Sequence, residues 1–360
     1  MVRRVGSANL PLHGGRAPAY LFSRMKQLAP EIVQLIVQEH GRDAFLQRIS
    51  DPYWFQAFGC VLGFDWHSSG VTTTVCGALK EGLQPRSREL GIYIAGGKGK
   101  SSLRTPAELL EIGSQLGING AQLAYNSRMS AKVDSAAVQD GFAIYHHTFI
   151  VTEDEKWAVV QQGMREGDGM ARRYHWLGDR VDDFVCEPHA AVASDVHEQR
   201  VLNFVAAEST PARSAVAELA RENPARVDQE VTRIINMQLP VRHWIDIKRD
   251  INPAHLRKTM ITTYEAAPHD FEALLALKGV GPAALRALAL VAEVVHGTPT
   301  SLKDPARFSF AHGGKDGTPF PVDQRTYDHS IEWLRVAVAK AKIGDSERTR
   351  ALRRLADWES

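Results

Sequence analysis

The chain has 360 residues, of which 44% are hydrophobic and 24% are charged, proportions that are typical of a folded globular protein and exclude disorder as its main state. Its 43 Lys and Arg residues balance 42 Asp and Glu residues, so the net charge of +1 neither favours nor excludes a polyanionic partner. Apolar runs such as 55–64 are shorter than the ~20 residues of a membrane span, which argues against a membrane-spanning protein.

Two helices are predicted near the start of the chain and a third further on. Apolar residues recur at helical spacing over 17–28 and 30–40. Thr105 and Glu108 have the form of a capping box, which predicts a helix over 105–116.

Strands are predicted at 90–95, 142–151 and 157–162, and the polar turn between the last two predicts a β-hairpin. The expected fold is therefore α+β (or α/β) in a first domain, 1–210, whose sheet contains this hairpin.

After position 210 the pattern is almost entirely helical. The expected helices lie near 211–222, 227–237, 271–278, 282–296, 325–341 and 346–357. A stretch rich in Gly and Pro, 298–321, is expected to be a long loop. We therefore predict a second domain, 211–360, that is all-α.

A glycine-containing turn between two of these helices is the strongest motif in the chain. The sequence from Leu277 to Leu285 ends one helix and begins the next with Pro at its first position. It resembles the helix-hairpin-helix of DNA repair and recombination proteins, here at 271–296. Its two glycines permit positive φ, so that free N–H groups and the positive helix end can bind a phosphate without reading a base. The predicted DNA-binding residues of this motif are Lys278, Gly279, Val280, Gly281, Ala283 and Arg286, with Val280 packed between the two helices.

Two other interpretations of this region stay open. A plain pair of helices joined by a glycine turn has the same pattern. Glycosylases of the helix-hairpin-helix class carry a catalytic Asp after the hairpin, in a context like that of Asp323, but Ala283 stands where their lyase members carry lysine. A helix cap is the simpler role for Asp323.

Basic residues elsewhere in the second half would extend a phosphate-binding surface beside this motif, or would form solvated faces. They are Arg242, His243 with Trp244, Lys248, Arg249, Arg257, Lys258, Arg348, Arg350, Arg353 and Arg354.

The run 95–102 contains the Gly and Lys residues of a phosphate-binding P-loop but not their spacing, because Ile94 stands where the first Gly belongs. Lys98 and Lys100 are instead predicted to contact a DNA backbone, and a solvated turn is the alternative.

Four segments of the first domain concentrate Asp, His, Gln and Arg. Such oxygen and nitrogen ligands suit Mg²⁺ or Mn²⁺, and a metal so held polarises a phosphodiester and activates water. Arg172 and Arg173 would neutralise charge that develops on the phosphate. The predicted metal ligands are Asp65, His67, Asp134 and His147. The predicted catalytic residues are Asp65, His67, Asp134, His146, His147, Gln162, Arg172, Arg173 and His175, with His13 as a further candidate.

The predicted hairpin also resembles the restriction-endonuclease-like core, in which an Asp is followed by Asp/Glu-x-Lys on the second strand. Here that strand carries Gln161 and Gln162 without such a Lys. A structural interpretation stays open, in which a residue such as His146 is buried in the core with its hydrogen bonds made and Asp65 caps a helix.

Five sequence strings resemble the domain of unknown function 763 family. They run from Leu10 to Pro18, Asp65 to Gly70, Tyr145 to Phe149, Gln161 to Met164 and Arg172 to Trp176. The resemblance covers about Arg3 to Tyr327. It implies a distinctive first domain and a helix-hairpin-helix second domain that serve DNA repair or recombination.

We therefore expect a cytoplasmic, metal-dependent nuclease that contacts the DNA backbone without sequence specificity and does not associate with a membrane. The three cysteines are widely spaced and form no CxxC pair, which excludes a zinc ribbon and suits free thiols in the cytoplasm. A non-catalytic DNA-binding module and a glycosylase using Asp323 are the alternatives. A homodimer would suit a two-stranded substrate.

Overall fold

The computed structural model describes residues 19–64, 70–165, 167, 169–194, 197–235, 253–306, 332, 334–340 and 348–353. Several predicted residues lie outside these ranges: His13, Asp65, His67, Arg242, His243, Trp244, Lys248, Arg249, Asp323 and Arg354.

Helices occur before, within and after the strand-forming part of the chain. They are α1 (Ala19–Ile49), α2 (Pro52–Val61), α3 (Gly70–Leu83), α4 (Ser87–Leu90), α5 (Lys100–Leu103), α6 (Thr105–Leu116), α7 (Gly120–Lys132), α8 (Thr210–Leu219), α9 (Pro224–Ile235), α10 (Pro253–Ala266), α11 (Phe271–Ala276) and α12 (Pro282–His296). A π-helical turn, Val133–Ala137, follows α7 directly, and residues 334–340 and 348–353 are also helical.

The described strands form a five-stranded antiparallel sheet and a separate pair. The strands are β1 (Ile92–Lys98), β2 (Val138–Gln139), β3 (Ala143–Thr152), β4 (Trp157–Met164), β5 (Ala171–Leu177), β6 (Ala191–Ser194) and β7 (Leu202–Asn203). The sheet order is β1-β3-β4-β5-β6, and β2 pairs with β7. In the register across the middle of the sheet, His147 lies opposite Gln161, and Gln161 lies opposite Tyr174.

Each face of the sheet packs against helices and so forms its own core. On one face Phe149, Val159 and Trp176 join a cluster that contains Leu123 of α7 and Leu288 of α12. On the other face the alternate strand residues join a cluster built from α1, α2 and α3, which includes Ile32, Phe58 and Val75. The alternation follows from the two-residue period of a strand, and it buries both faces of the sheet.

The predicted mixed α+β class is confirmed for the described residues. The predicted boundary at 210 and the all-α second domain stay predictions. Residues on both sides of that position, such as Phe149 and Leu288, share the first core.

The predicted hairpin and the predicted helix over 105–116 are both present, as β3–β4 and α6. The predicted capping box does not form, because no side chain caps the N-terminus of α6. The Glu108 carboxylate accepts from the Gly96 N–H (2.9 Å) and from Lys80 Nζ (2.7 Å), because strand β1 and helix α3 both end near it. The helices predicted at 17–28 and 30–40 merge into α1, which continues to Ile49 through a kink at Gly41 (φ 82°).

No helix in the described ranges combines the length and the apolar character that a membrane span requires.

Candidate functional site

Three pairs of adjacent polar residues on the central strands supply most of the predicted catalytic residues. The pairs are His146 and His147, Gln161 and Gln162, and Arg172 and Arg173. Because successive strand residues point to opposite faces, each pair is divided between the two cores. The structure therefore separates those predicted residues that it describes into groups instead of gathering them around one point.

The first group is centred on Asp134, which lies in the π-helical turn and is 0% exposed. Its carboxylate accepts hydrogen bonds from three side chains: Gln161 Nε2 (2.5 Å), Trp176 Nε1 (2.9 Å) and His189 Nε2 (2.5 Å). These donors replace the water that the buried carboxylate has lost, so Asp134 is fully satisfied.

Gln161 connects Asp134 to His147. The Gln161 Oε1 atom lies 2.7 Å from His147 Nδ1, and Ser127 Oγ lies 2.8 Å from His147 Nε2. Since an amide oxygen only accepts, His147 carries its proton on Nδ1, and its Nε2 accepts from the Ser127 hydroxyl. Burial lowers the pKa of His147 to about 4, against the opposing effect of the Gln161 bond, so the ring is neutral near pH 7.

His189 extends this group to a cavity of about 480 Å³, which its side chain lines together with Glu187 and Glu208. Glu187 has a positive φ of 47°, which is uncommon for a residue other than glycine. A buried carboxylate that orients an imidazole toward a cavity is the arrangement that general acid–base catalysis uses.

The second group is a buried ion cluster around Arg172, which is 0% exposed. The guanidinium donates to both oxygens of Asp304 (2.9 and 2.8 Å) and to Asp140 (3.0 Å). Burial disfavours the charged guanidinium, but the carboxylates outweigh it and raise the pKa of Arg172. Burial raises the pKa of Asp140 despite the attraction of Arg172. Arg172 is thus engaged by internal carboxylates.

The third group lies on the opposite face of the sheet, around Arg173 and His175. Arg173 donates to His175 Nε2 (2.8 Å), Gln56 Oε1 (3.1 Å), Thr72 Oγ1 (3.4 Å) and the Pro52 carbonyl (3.3 Å). Because arginine only donates, His175 Nε2 accepts, and Nδ1 donates to the Ile49 carbonyl (3.0 Å). Burial lowers the pKa of His175 far below its ordinary value. These bonds join the sheet to α1, α2 and α3.

His146 and Gln162 also face this side of the sheet. The His146 ring lies with Lys98 along a cavity between α3 and β1, whereas Gln162 donates to the hydroxyl of Tyr145 (2.6 Å). Of the two predicted lysines of the 95–102 run, Lys98 lines this cavity and Lys100 does not.

Within the described ranges, no group of three or more His, Cys, Asp or Glu side chains is arranged to hold a metal ion. Two of the four predicted ligands, Asp65 and His67, lie outside those ranges. The other two, Asp134 and His147, are joined through Gln161 and do not contact each other directly. Metal binding and the catalytic roles stay predictions.

The glycine turn, Leu277–Gly281, joins α11 to α12 at the surface. Gly279 has φ 92°, and Gly281 is extended and precedes α12 without a side-chain cap. A Cβ atom on either glycine would meet nothing within 4 Å, so both face open space. Val280, in contrast, is 2% exposed and packs in the first core, as predicted.

Contacts with α7 and the strand β2 hold the glycine turn in place. Lys132 Nζ donates to the carbonyls of Leu277 and Val280, at 2.8 Å each. Arg286 donates to Gln139 Oε1 (2.9 Å), and the Gln139 amide donates to the Pro282 carbonyl (3.0 Å). The carbonyls of the turn are thereby bound inward, and Arg286 is bound to Gln139. Lys278 remains exposed.

The predicted basic residues that lie in the described ranges divide between the two sides of the sheet. Arg257 and Lys258 are exposed on α10, which packs against α12. Ala351 and Leu334 pack in the second core, on the other face of the sheet from Val280. The arginines beside them, Arg348, Arg350 and Arg353, therefore do not extend the surface of the glycine turn.

Four residues that organise these groups were not among the predicted catalytic residues or ligands: Gln161, His189, Asp140 and Asp304. Strand alternation alone would have placed Gln161 on the same face as His147, since the two strands form a hairpin. The others contact partners far along the chain, and no local signal marks them.

The comparisons with known proteins give one match. Residues 6–322 match the family described as "Protein of unknown function (DUF763)". No curated protein and no solved structure matches the chain. Because the match covers most of its length, the chain belongs to this DUF763 family.

Proposed function

We propose that the protein binds the phosphate backbone of DNA through the glycine turn, as a helix-hairpin-helix element of a repair or recombination protein that acts in the cytoplasm. The main supporting observation is that the N–H groups of Gly279 and Gly281 have no acceptor among the described residues, and that a Cβ atom on either glycine would meet nothing within 4 Å, so another backbone can approach closely here. The first turn of α12 adds N–H groups that lack intrahelical partners, and the helix dipole favours an anion there.

The anchoring of the turn supports this proposal. Lys132 binds the carbonyls of Leu277 and Val280 and so fixes the position of the turn on the protein. Lys278 adds an exposed cation at the same place. Because backbone N–H groups contact the phosphate and no side chain recognises a base, such binding does not depend on the DNA sequence.

Binding by single-site variants tests the proposal. We expect Lys278→Gln to weaken the binding of two unrelated DNA duplexes equally and to reduce the slope of log affinity against log salt by about 1. Lys26→Gln, in a partly exposed lysine of α1 that pairs with Glu81, is the control and should leave both the affinity and the salt slope unchanged. Fluorescence anisotropy over a salt series measures these quantities, and equal affinity of Lys278→Gln and wild type would contradict the proposal.

A second candidate function is phosphodiester hydrolysis, favoured by the contact of His189 with Asp134 at the edge of a cavity. In this candidate His189 is the general base and Asp134 its positioning residue, with Mn²⁺ or Mg²⁺ as the proposed cofactor. We expect labelled DNA to be cut in the presence of either metal and not in EDTA, and His189→Gln to cut at least tenfold more slowly. DNA that stays intact with both metals would contradict hydrolysis but not DNA binding, and abasic sites in place of strand breaks would favour a glycosylase.

A further inference from the structure

A cavity of about 560 Å³ opens between helix α3 and the edge strand β1, away from the glycine turn. Its wall includes Cys76 and Lys80 of α3, Tyr93 and Lys98 of β1, and His146 of β3. The volume is in the range of pockets that hold a small molecule.

The His146 ring is 1% exposed and is only half satisfied. Its Nε2 atom lies 2.9 Å from Thr148 Oγ1, whereas Nδ1 has no hydrogen-bond partner among the described residues. Burial, with smaller contributions from His147 and Lys98, lowers the pKa of His146 to about 3. The neutral ring therefore keeps one buried nitrogen without a hydrogen-bond partner behind the cavity wall, and leaving such an atom unpaired is costly.

The charges around the cavity leave one cation unbalanced. Lys80 is paired with Glu108 at 2.7 Å, and Glu81 on the wall is paired with Lys26 at 3.0 Å. The Lys98 ammonium lies 5.8 Å from the centre of the Tyr145 ring and has no carboxylate partner among the described residues. The cavity thus suits a ligand with a negative charge near Lys98.

The remaining wall is apolar and amide-bearing. Tyr93, Ile94 and Ile112 supply the apolar surface, and Gln84 and Gln115 supply amide groups. An anion joined to a flat body with hydrogen-bonding edges matches this combination better than a bare inorganic ion does.

We propose that this cavity binds a nucleotide, with Lys98 at its phosphate and the apolar and amide-bearing wall around its sugar and base. This inference goes beyond the proposed function and does not depend on the glycine turn. A free mononucleotide and the 5′-phosphorylated end of a DNA strand share the required chemistry, and the experiment separates them.

Isothermal titration calorimetry on the full chain tests the proposal. We expect at least one of the four deoxynucleoside 5′-monophosphates to bind at least tenfold more tightly than its nucleoside or inorganic phosphate. Lys98→Gln should weaken that binding at least tenfold, because it removes the only unbalanced cation among the described groups of the cavity wall. Arg104→Gln is the matched control, since Arg104 is exposed close by in the chain but does not line the cavity, and it should bind as wild type does.

A 5′-phosphorylated oligonucleotide, compared with its 5′-hydroxyl form, identifies the source of the ligand. Preference for the phosphorylated strand that disappears in Lys98→Gln assigns the cavity to strand ends, and no preference, with mononucleotide binding kept, assigns it to free nucleotides. Absence of binding by all four monophosphates, equal binding of inorganic phosphate, or equal losses in Lys98→Gln and Arg104→Gln would each overturn the proposal. Lys278→Gln should bind mononucleotide normally, so failure of the glycine turn and failure of the cavity are distinguishable.

Discussion

Replacing Arg172 with Met should destabilise the protein strongly at neutral pH. The guanidinium, Asp304 and Asp140 are all essentially inaccessible to water, and three of the N–H···O bonds that join them measure 2.8–3.0 Å. Removing the cation leaves two buried carboxylates without their countercharge, although Tyr174 still donates to Asp140, and this change costs about 3–5 kcal/mol of unfolding free energy. Arg165→Met is the matched control, because Arg165 pairs with Glu198 at 2.6 Å but both are about a quarter exposed. Such a pair is worth about 0–1 kcal/mol.

The pH dependence of this loss tests its electrostatic origin. Burial already raises the pKa of Asp140, and without Arg172 that pKa rises further. The folded variant then binds a proton more tightly than the unfolded chain does, so its stability recovers as the pH falls through the raised pKa. Urea unfolding at about pH 7.5 and about pH 5 should show a smaller loss at the lower pH. An equal loss at both values, or a loss no larger than that of Arg165→Met, would refute the buried-cluster argument.

Three further predictions concern the lysine behind the glycine turn, the buried histidines and the Asp134 group. Lys132→Met removes the donor to two carbonyls of the turn and should lower the unfolding free energy by about 1–3 kcal/mol. It should also speed the hydrogen exchange of the turn amides. Unchanged exchange would argue against anchoring by Lys132. His146 and His147, whose pKa values are lowered to about 3 and about 4, should stay neutral by NMR down to about pH 5. In the unfolded chain both histidines take up protons below about pH 6.5, so the unfolding free energy should decrease as the pH is lowered from about 6.5 to about 4. The decrease should be less steep in His146→Gln, and a ring that titrates near pH 6.5 would contradict this prediction. Gln161→Leu removes one donor from Asp134 and the acceptor of His147, and should cost about 2–4 kcal/mol in urea unfolding, whereas Gln47→Leu on the exposed side of α1 should cost less than about 0.5 kcal/mol.

Local patterns predicted the local elements well. The β3–β4 hairpin, helix α6 and the burial of Val280 all follow from periodicity and from turn residues in contiguous sequence. The capping box failed because a tertiary contact, from Gly96 and Lys80, took the Glu108 carboxylate that the local pattern assigned to the helix start.

The candidate site was harder to predict, for two physical reasons. Adjacent residues on a strand point to opposite faces of the sheet, so they cannot belong to one site. The neighbouring residues His146 and His147 therefore lie on the sides of two different cores. The second reason is sequence distance. Asp134 meets Gln161 and His189, 27 and 55 residues away, and Arg172 meets Asp304, 132 residues away. Only the folded chain shows that these partners satisfy each other.

The most direct test of the central claim is an amide NMR titration of the full chain with a short DNA duplex, because the claim is that backbone N–H groups of the glycine turn contact phosphate. The account predicts that the amides of Gly279, Gly281 and Ala283 shift most, alike for two unrelated duplex sequences, and that added salt reverses the shifts. A duplex that binds while these three amides stay unshifted would contradict it.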